Sequence, residues 1–244
     1  MAKFNDKAVS DMLLYELIKN PILLILTVPA VIIALTFHEW AHGYVAYKCG
    51  DMTPRNLGRL SLNPMRHFDI FGALMMLLVG FGWAKPVPIN PRNFRNPKWG
   101  FAIVAIAGPA MNLIIAFISV FLMQLVTFIA GLITSESVLV YNIFSYTCIL
   151  FYYMAYMNVG FAVFNMIPIP PFDGSRLVSA ILPPNLSAKY NRIEAYTRYI
   201  FIAVIALTWL PAPFSKITQW LFFPIDWLRE AIVNLFTAFW ELIF

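Results

Sequence analysis

An apolar run occupies positions 22–37 of the chain and leads directly into the motif H-E-x-x-H at positions 38–42. Glu39 is the only charged side chain between positions 21 and 47. A run of this length predicts a helix that crosses a membrane, because about 20 apolar residues span the hydrocarbon layer. A carboxylate inside such a helix costs about 2.5–3.5 kcal/mol on insertion scales, so its presence there indicates a functional role.

The H-E-x-x-H motif gives this helix the spacing of a metal site. His38 and His42 are four residues apart and therefore project from one helical face, where they can share an ion. Glu39 projects elsewhere, which leaves its carboxylate free to act as a base. A chance pentapeptide is the alternative, but two histidines at metal-binding spacing beside the helix's only acid favour the metal site.

The composition places the chain among integral membrane proteins. Hydrophobic residues make up 61% of the chain and charged residues only 12%, and the mean hydropathy is +0.73. These values predict an integral membrane protein. Together with the apolar segments along the chain, they predict a single all-α, polytopic membrane domain over residues 1–244, with about four to six transmembrane helices and a re-entrant or interfacial loop. We divide it into a catalytic core at about 21–180 and C-terminal helices at about 195–244. The net charge of +5 comes from basic residues in the connectors, which indicates a lipid bilayer as partner and no nucleic acid.

Further apolar segments predict the remaining helices. Long helices are expected at 101–133 and at about 141–167, followed by a span at about 199–210. The end of the chain, residues 217–244, is rich in Trp and Phe and contains Pro224, at which we expect the helix to be broken. This segment is either a last span or an interfacial helix.

A loop between the first two long helices has a composition that excludes a helix. Residues 80–88 read G-F-G-W-A-K-P-V-P, and glycines and prolines at this density interrupt helical structure. We expect a re-entrant or interfacial loop that resembles a β-hairpin. Such a loop is tolerated at membrane depth only where protein or water satisfies its backbone.

The connectors orient the predicted helices across the membrane. Residues 48–98 hold eight Lys or Arg and residues 174–200 hold four, whereas the turn at 131–140 holds none. By the positive-inside rule, the two basic regions face the cytoplasm. His42 then lies about 9 Å from the cytoplasmic helix end at Lys48, at a rise of about 1.5 Å per residue. The metal site is therefore expected in the cytoplasmic half of the membrane.

A further ligand is needed, because catalytic zinc usually takes three protein ligands and leaves one position open. Asp173 follows a run of prolines that ends the helix predicted at 141–167, on the same side of the membrane as His42. Depth and topology favour this aspartate. His67, the remaining histidine, lies in the basic connector and is the alternative, whereas Glu136 lies at the opposite membrane face.

Two motifs together resemble one known family. H-E-x-x-H in a membrane helix, followed far downstream by N-x-x-P-x-x-P-x-D-G at 165–174, is similar to the signature of the site-2 protease family of intramembrane zinc metalloproteases. The stretch A-G-P-A-M-N at 107–112 and residues 80–91 also look like this family, so the resemblance covers about residues 30–180. Members often carry a PDZ or CBS domain, for which this chain has no room, so it resembles a small form.

The resemblance implies roles for individual residues. His38, His42 and Asp173 are expected to be ligands of Zn²⁺, with Glu39 as the general base. Asn165 is expected to lie near the site and to contact substrate. Bound zinc is then expected to polarise the scissile carbonyl and acidify water, while Glu39 passes a proton to the leaving amine.

The implied reaction is hydrolysis of a peptide bond within a transmembrane segment of a membrane protein, as in regulated intramembrane proteolysis. The expected location is the cytoplasmic membrane of a bacterium, as a multi-pass protein. The loop at 80–88 is either an exposed edge that pairs with an extended substrate or a turn anchored at the interface by its tryptophan. Asn112, a polar residue in an apolar helix, either bonds between helices or lines the substrate path.

Two other functions are open on the sequence alone. A non-proteolytic metal-binding protein or transporter also buries charged residues, but a transporter should show paired half-helices or repeats, and neither is evident. A membrane zinc protease of the type that trims prenylated or misfolded proteins takes a downstream glutamate as ligand. Glu136 and Glu194 are poorly placed for that role.

Overall fold

The computed structural model of the chain describes residues 21–72, 84–133, 137–208 and 214–244. Regular structure in these residues is helical, and no strand occurs among them, so the predicted all-α class is confirmed for this part of the chain. The helices are α1 (Pro21–Lys48), α2 (Thr53–Asn56), α3 (Pro97–Leu132), α4 (Val138–Asn165), α5 (Asp173–Ile181), α6 (Pro184–Arg192), α7 (Glu194–Thr208) and α8 (Phe214–Glu241). Short 3-10 turns at Pro64–Arg66 and Pro91–Asn93 lie between α2 and α3.

Three of these helices are long and apolar enough to cross a membrane. They are Ile25–Lys48 within α1, the whole of α3 and the whole of α4, with 24, 36 and 28 residues. Helix α7 has 15 residues, fewer than the roughly 20 that a span needs. Helix α8 is long enough, with 28 residues, but carries several charged side chains. The chain is therefore an integral membrane protein, and its described residues supply three of the predicted four to six spans.

Local sequence sets the ends of α3 and α4. The side chain of Asn96 accepts a hydrogen bond from the backbone N–H of Trp99 at 3.2 Å, and Pro97 occupies the first helical position. This cap starts α3 at Pro97 rather than at the predicted position 101. Helix α4 ends at Asn165, because the prolines that follow from Pro168 cannot continue it.

Prolines inside three helices do not end them. Pro29, Pro109 and Pro224 lie within α1, α3 and α8. The break predicted at Pro224 is therefore wrong, since α8 runs through this residue. Packing of α8 against α3 and α4 offsets the hydrogen bond that the proline removes, as is usual for prolines in helices of membrane proteins.

Helices α1, α3 and α4 pack directly on one another and form the interior that holds the site. Most residues buried there have small side chains, among them Ala34, Ala105, Ala116, Val159 and Ala162. Small side chains let helix backbones approach closely in a membrane. This close approach brings polar groups of different helices within hydrogen-bonding distance.

Two buried charged residues tie the connectors to the end of α1. Asp51 accepts hydrogen bonds from the Thr53 hydroxyl at 2.6 Å, from Asn90 N at 2.7 Å and from Asn93 Nδ2 at 2.7 Å. Burial by itself raises the pKa of Asp51, but these bonds outweigh burial and lower the pKa below its ordinary value. Arg59 donates to the carbonyls of residues 85 and 86, at 2.6 and 3.1 Å. Together they hold the loop at 84–90 against α1.

The described part of the loop, residues 84–90, forms no strand. The predicted β-hairpin-like geometry is therefore absent from this part. Residues 80–83 of the loop lie outside the described residues, as does Glu136.

Candidate metal centre

Three buried side chains from two helices converge on one point. His38 and His42 lie on α1, and Asp173 is the first residue of α5. The Nε2 atoms of the histidines are 3.0 Å apart, and Asp173 Oδ2 lies 3.2 Å from His38 Nε2 and 3.0 Å from His42 Nε2. The exposed fractions of the three residues are 6%, 4% and 7%. Within the described ranges, this is the one cluster of His, Cys, Asp or Glu with the spacing of a metal site.

The turn after α4 delivers Asp173 to this point. Helix α4 ends at Asn165, and seven residues of turns and bends connect it to α5, which begins at Asp173. Gly174 is required in this turn, because a methyl group there would overlap the carbonyl of Met166 and approach Ile167 O to 2.7 Å. The irregular backbone thus aims the carboxylate across the bundle at α1.

The outer nitrogens of both imidazoles are already bonded. His42 Nδ1 donates to the carbonyl of Val104 at 2.7 Å, and His38 Nδ1 lies 2.8 Å from Asn112 Oδ1. A carbonyl oxygen can only accept, so Nδ1 carries the proton and Nε2 keeps its lone pair in the neutral ring. Two nitrogen lone pairs and a carboxylate oxygen therefore face one another. A shared cation relieves this repulsion, so the donor set fits a metal ion.

The space around the three ligand atoms also fits a zinc ion. Ligands that bind a tetrahedral Zn²⁺ at about 2.0–2.1 Å lie about 3.3 Å from one another, close to the distances found here. Gly108 of α3 lies directly against the histidines, since a methyl group there would approach His38 Nε2 to 2.7 Å and His42 Nε2 still more closely. The glycine keeps this side of the centre open.

Asp173 uses its two oxygens differently. Oδ2 faces the histidines, while Oδ1 lies 3.5 Å from Nη1 of Arg176, one turn further along α5. The guanidinium of Arg176 beside Oδ1 favours the charged form of Asp173. The residue is therefore a carboxylate at neutral pH, which is the form that binds a cation.

Glu39 stays out of the ligand cluster, as its place between the histidines predicts. Its side chain is half-buried and points toward the loop at 84–90. Glu39 Oε2 accepts a hydrogen bond from the backbone N–H of Val87 at 2.7 Å. This contact fixes the carboxylate next to the centre and leaves its second oxygen available to a reacting molecule.

The other candidate residues lie in different surroundings. His67 is buried and donates from Nε2 to the carbonyl of Ser61 at 2.7 Å, and it does not belong to the ligand cluster. Asn165 is half-buried and donates to Phe161 O within α4 at 3.0 Å. Asn112 is fully buried and bonded on both sides, which favours its interpretation as a residue that bonds between helices.

Several residues that bond to the site were not predicted from the sequence. Asn158, Val104 and Val87 each contribute one hydrogen bond to the site or to a residue that touches it. Asn158 could have been identified from the sequence as a candidate site residue, because it is a polar residue inside the apolar run of α4. Val104 and Val87 act through their backbones, for which the sequence carries no signal.

Known proteins resemble the chain over most of its length. Residues 26–208 match the model of peptidase family M50. "Putative zinc metalloprotease YwhC" of Bacillus subtilis is 36% identical over 94% of this chain and 97% of its own length. "Putative zinc metalloprotease Rip2" of Mycolicibacterium smegmatis is 25% identical over 84% of this chain and 73% of its own, and "Putative zinc metalloprotease MJ0611" of Methanocaldococcus jannaschii is 30% identical over 58% and 63%. No solved structure matches the chain.

Apolar spans surrounding a metal-binding cluster, together with these relatives, define a membrane metalloprotease. The chain belongs to peptidase family M50, the site-2 protease family, and the resemblance seen in the motifs is confirmed.

Proposed function

We propose that this protein is an intramembrane zinc endopeptidase that hydrolyses a peptide bond within a transmembrane segment of another membrane protein. One observation carries the proposal. The two histidines and Asp173 converge with free lone pairs on a membrane-spanning helix, and a carboxylate that is not a ligand stands beside them. A protein that only stored or moved a metal would have no need of that second acid.

In this proposal His38, His42 and Asp173 hold the ion, and each is kept in its binding form by its surroundings. The bonds to Val104 O and Asn112 Oδ1 hold both Nε2 lone pairs toward the centre. A bound Zn²⁺ supplies a Lewis acid that polarises the scissile carbonyl and lowers the pKa of water.

Glu39 performs the proton transfers. Its carboxylate takes a proton from the attacking water and later gives it to the nitrogen of the leaving amine. The hydrogen bond from Val87 N–H occupies Oε2 and limits rotation of the side chain. Because the same loop is held by Asp51 and Arg59, the base is positioned by the connectors as well as by α1.

The substrate reaches this site from within the bilayer and is cut near its cytoplasmic end. The charge pattern of the connectors supports an orientation with residues 48–98 in the cytoplasm, which puts the metal in the cytoplasmic half of a bacterial cytoplasmic membrane. A cavity of about 340 Å³, whose lining includes Val87, Ser175 and Arg176, is large enough to hold water and lies next to the loop that bonds Glu39. We also retain Asn165 and the loop at 80–90 as candidate substrate contacts.

The test compares cells that carry the wild-type protein with cells that carry Glu39→Gln. New protein termini within membrane segments are identified by mass spectrometry of the membrane and soluble fractions. Fragments cut within a span should be present with wild type and with the control Glu230→Gln, an exposed residue of α8, and absent with Glu39→Gln. The purified Glu39→Gln protein should keep its zinc, because Glu39 is not a ligand.

Two outcomes contradict the proposal. Identical termini in the wild-type and Glu39→Gln cells would mean that the protein does not act as a protease through this residue. Zinc lost in proportion to activity in Glu39→Gln would make Glu39 a ligand rather than a base.

A further inference from the structure

Two buried asparagines connect the metal centre to α4. Asn112 of α3 and Asn158 of α4 are both 0% exposed and lie in the interior formed by α1, α3 and α4. An amide buried in an apolar interior costs free energy unless its donors and acceptors are paired. The pairing of these two amides therefore determines which way each can point.

The direction of Asn158 is set by its own helix. Its Nδ2 donates to the carbonyl of Met154 at 2.7 Å. Since a carbonyl cannot donate, the amide nitrogen must face Met154 and Oδ1 must face the other way. That oxygen lies 3.1 Å from Asn112 Nδ2.

The direction of Asn112 follows from that of Asn158. Only an N–H can satisfy Asn158 Oδ1, so Asn112 presents Nδ2 to it, and the same nitrogen lies 3.5 Å from a second acceptor, Ala34 O. Asn112 Oδ1 is then left facing His38 Nδ1 at 2.8 Å. An oxygen acceptor there requires the proton on Nδ1, which leaves the Nε2 lone pair directed at the metal position.

We propose that Asn158 and Asn112 are positioning residues that fix the tautomer and the ring orientation of His38. The proposal rests on the proposed function, in which His38 is a metal ligand. Met154 O orients Asn158, Asn158 orients Asn112, and Asn112 selects the ring form of His38 that binds metal. Neither asparagine belongs to the group of three side chains that converge on the metal position.

We call the chain of hydrogen bonds from Met154 O through Asn158 and Asn112 to His38 the relay. A comparison with His42 shows why the orientation of His38 depends on it. The tautomer of His42 is fixed by the backbone carbonyl of Val104, which accepts a hydrogen bond from Nδ1 and cannot exchange an acceptor for a donor. An asparagine side chain can rotate by half a turn and present its N–H instead, which would favour the wrong tautomer of His38. Asn158 removes that freedom, because the flipped amide would place oxygen against oxygen.

The test measures zinc affinity by competition with a chromophoric chelator in detergent solution, using metal-stripped protein. Asn112→Leu keeps the side-chain size and removes the acceptor, and should weaken zinc binding about 10–100-fold, as for other partners of metal-binding histidines. Asn158→Leu should cause a smaller loss, because Asn112 then loses its orientation but not its acceptor. Ser119→Ala removes a buried hydroxyl whose one hydrogen bond within the described part of the chain is to Ile115 O of its own helix; it is the matched control and should bind like wild type.

The double variant distinguishes a relay from two independent packing defects. If Asn158 acts only through Asn112, then Asn112→Leu with Asn158→Leu should bind zinc no more weakly than Asn112→Leu alone. Asn112→Asp retains an acceptor for His38 Nδ1 and should bind zinc more tightly than Asn112→Leu. Should Asn112→Leu fail to fold, Asn158→Leu and Asn112→Asp carry the test.

Three results overturn the proposal. They are wild-type affinity in Asn112→Leu, wild-type affinity in Asn158→Leu, and losses that add in the double variant. A wild-type protein that binds no zinc would overturn the proposed function itself, together with the relay, and is thereby distinguished from failure of the relay alone.

Discussion

Toward α1 and α4, helix α3 presents Gly108 and Asn112, whereas toward α8 it presents Phe117 and Phe121. In the first contact, buried polar atoms meet through short hydrogen bonds, such as the 2.8 Å contact of Asn112 with His38. In the second, aromatic rings pack at tilted angles, and the ring centroids of Phe117 and Phe121 each lie 4.7 Å from that of Trp240.

The two contacts depend on different physical quantities. The polar contact depends on the position of single atoms, since one misplaced donor leaves another buried group unpaired. The aromatic contact is a sum of many weak attractions that can readjust when one ring is changed. We therefore expect changes at the first contact to weaken or abolish zinc binding, and changes at the second to lower stability without affecting the metal.

The largest effect is expected from Gly108→Ala. The added methyl group would overlap the Nε2 atoms of both histidines, so zinc content and activity should fall close to zero. Gly131→Ala on the same helix is the matched control, because no described atom beyond the adjoining backbone of its own helix lies within 4 Å of the added methyl group. Metal analysis of the purified proteins checks this prediction. Normal zinc content in Gly108→Ala would show that α3 does not lie against the ligand nitrogens.

Asp173→Ala should remove zinc and activity nearly as completely, because it deletes one of the three convergent ligand atoms. His67→Ala, which deletes the rival ligand candidate, should lower stability but leave zinc content unchanged, since His67 bonds to Ser61 O. Equilibrium dialysis against zinc measures both. The reverse pattern would transfer the third ligand to His67.

A change in the aromatic contact should have a different signature. Trp240→Phe removes the hydrogen bond from Nε1 to Phe117 O at 3.1 Å and part of the ring. We expect the unfolding free energy to fall by about 1–2 kcal/mol, with full zinc content. Thermal unfolding in detergent tests the loss of stability, and metal analysis tests the zinc content. Loss of zinc from this variant would contradict the statement that the aromatic contact affects stability but not zinc binding.

The smallest effect is expected at Asp51, which ties the connectors to α1 outside both contacts. Its pKa is lowered in the folded protein, so its charge stabilises the fold above its ordinary pKa of about 3.8, and this contribution is lost as the pH falls through the lower folded value. Asp51→Asn should therefore unfold about 2–4 °C below wild type at pH 7, the shift expected for about 1 kcal/mol in a chain of this size. The difference should shrink when the measurement is repeated below pH 4. A difference that grows on acidification would contradict the assigned direction of the pKa.

The polar contact was only partly predictable from the sequence. Apolar runs predicted α1, α3 and α4, and the prolines after Asn165 predicted the helix end that precedes Asp173, because membrane insertion and proline geometry are local properties. Convergence of Asp173 on the histidines followed from depth and charge pattern. The pairing of Asn112 with Asn158 did not, since it depends on how two helices face each other.

The aromatic contact was less predictable still. The sequence of α8 is rich in Trp and Phe and contains Pro224, and the proline predicts an interruption. The helix continues because its packing against α3 and α4 outweighs the local penalty, and that packing is a tertiary effect. The start of α3 at Pro97 was, by contrast, available from the Asn96–Pro97 pair, which is a typical N-terminal signal.

We expect one zinc ion to be held by two imidazoles, those of His38 and His42, and by the carboxylate of Asp173. X-ray absorption at the zinc edge of the purified wild-type protein measures this coordination directly. We predict nitrogen and oxygen neighbours at about 2.0–2.2 Å, with an imidazole scattering pattern that corresponds to two rings. A sulfur neighbour at about 2.3 Å, or a third imidazole, would contradict it.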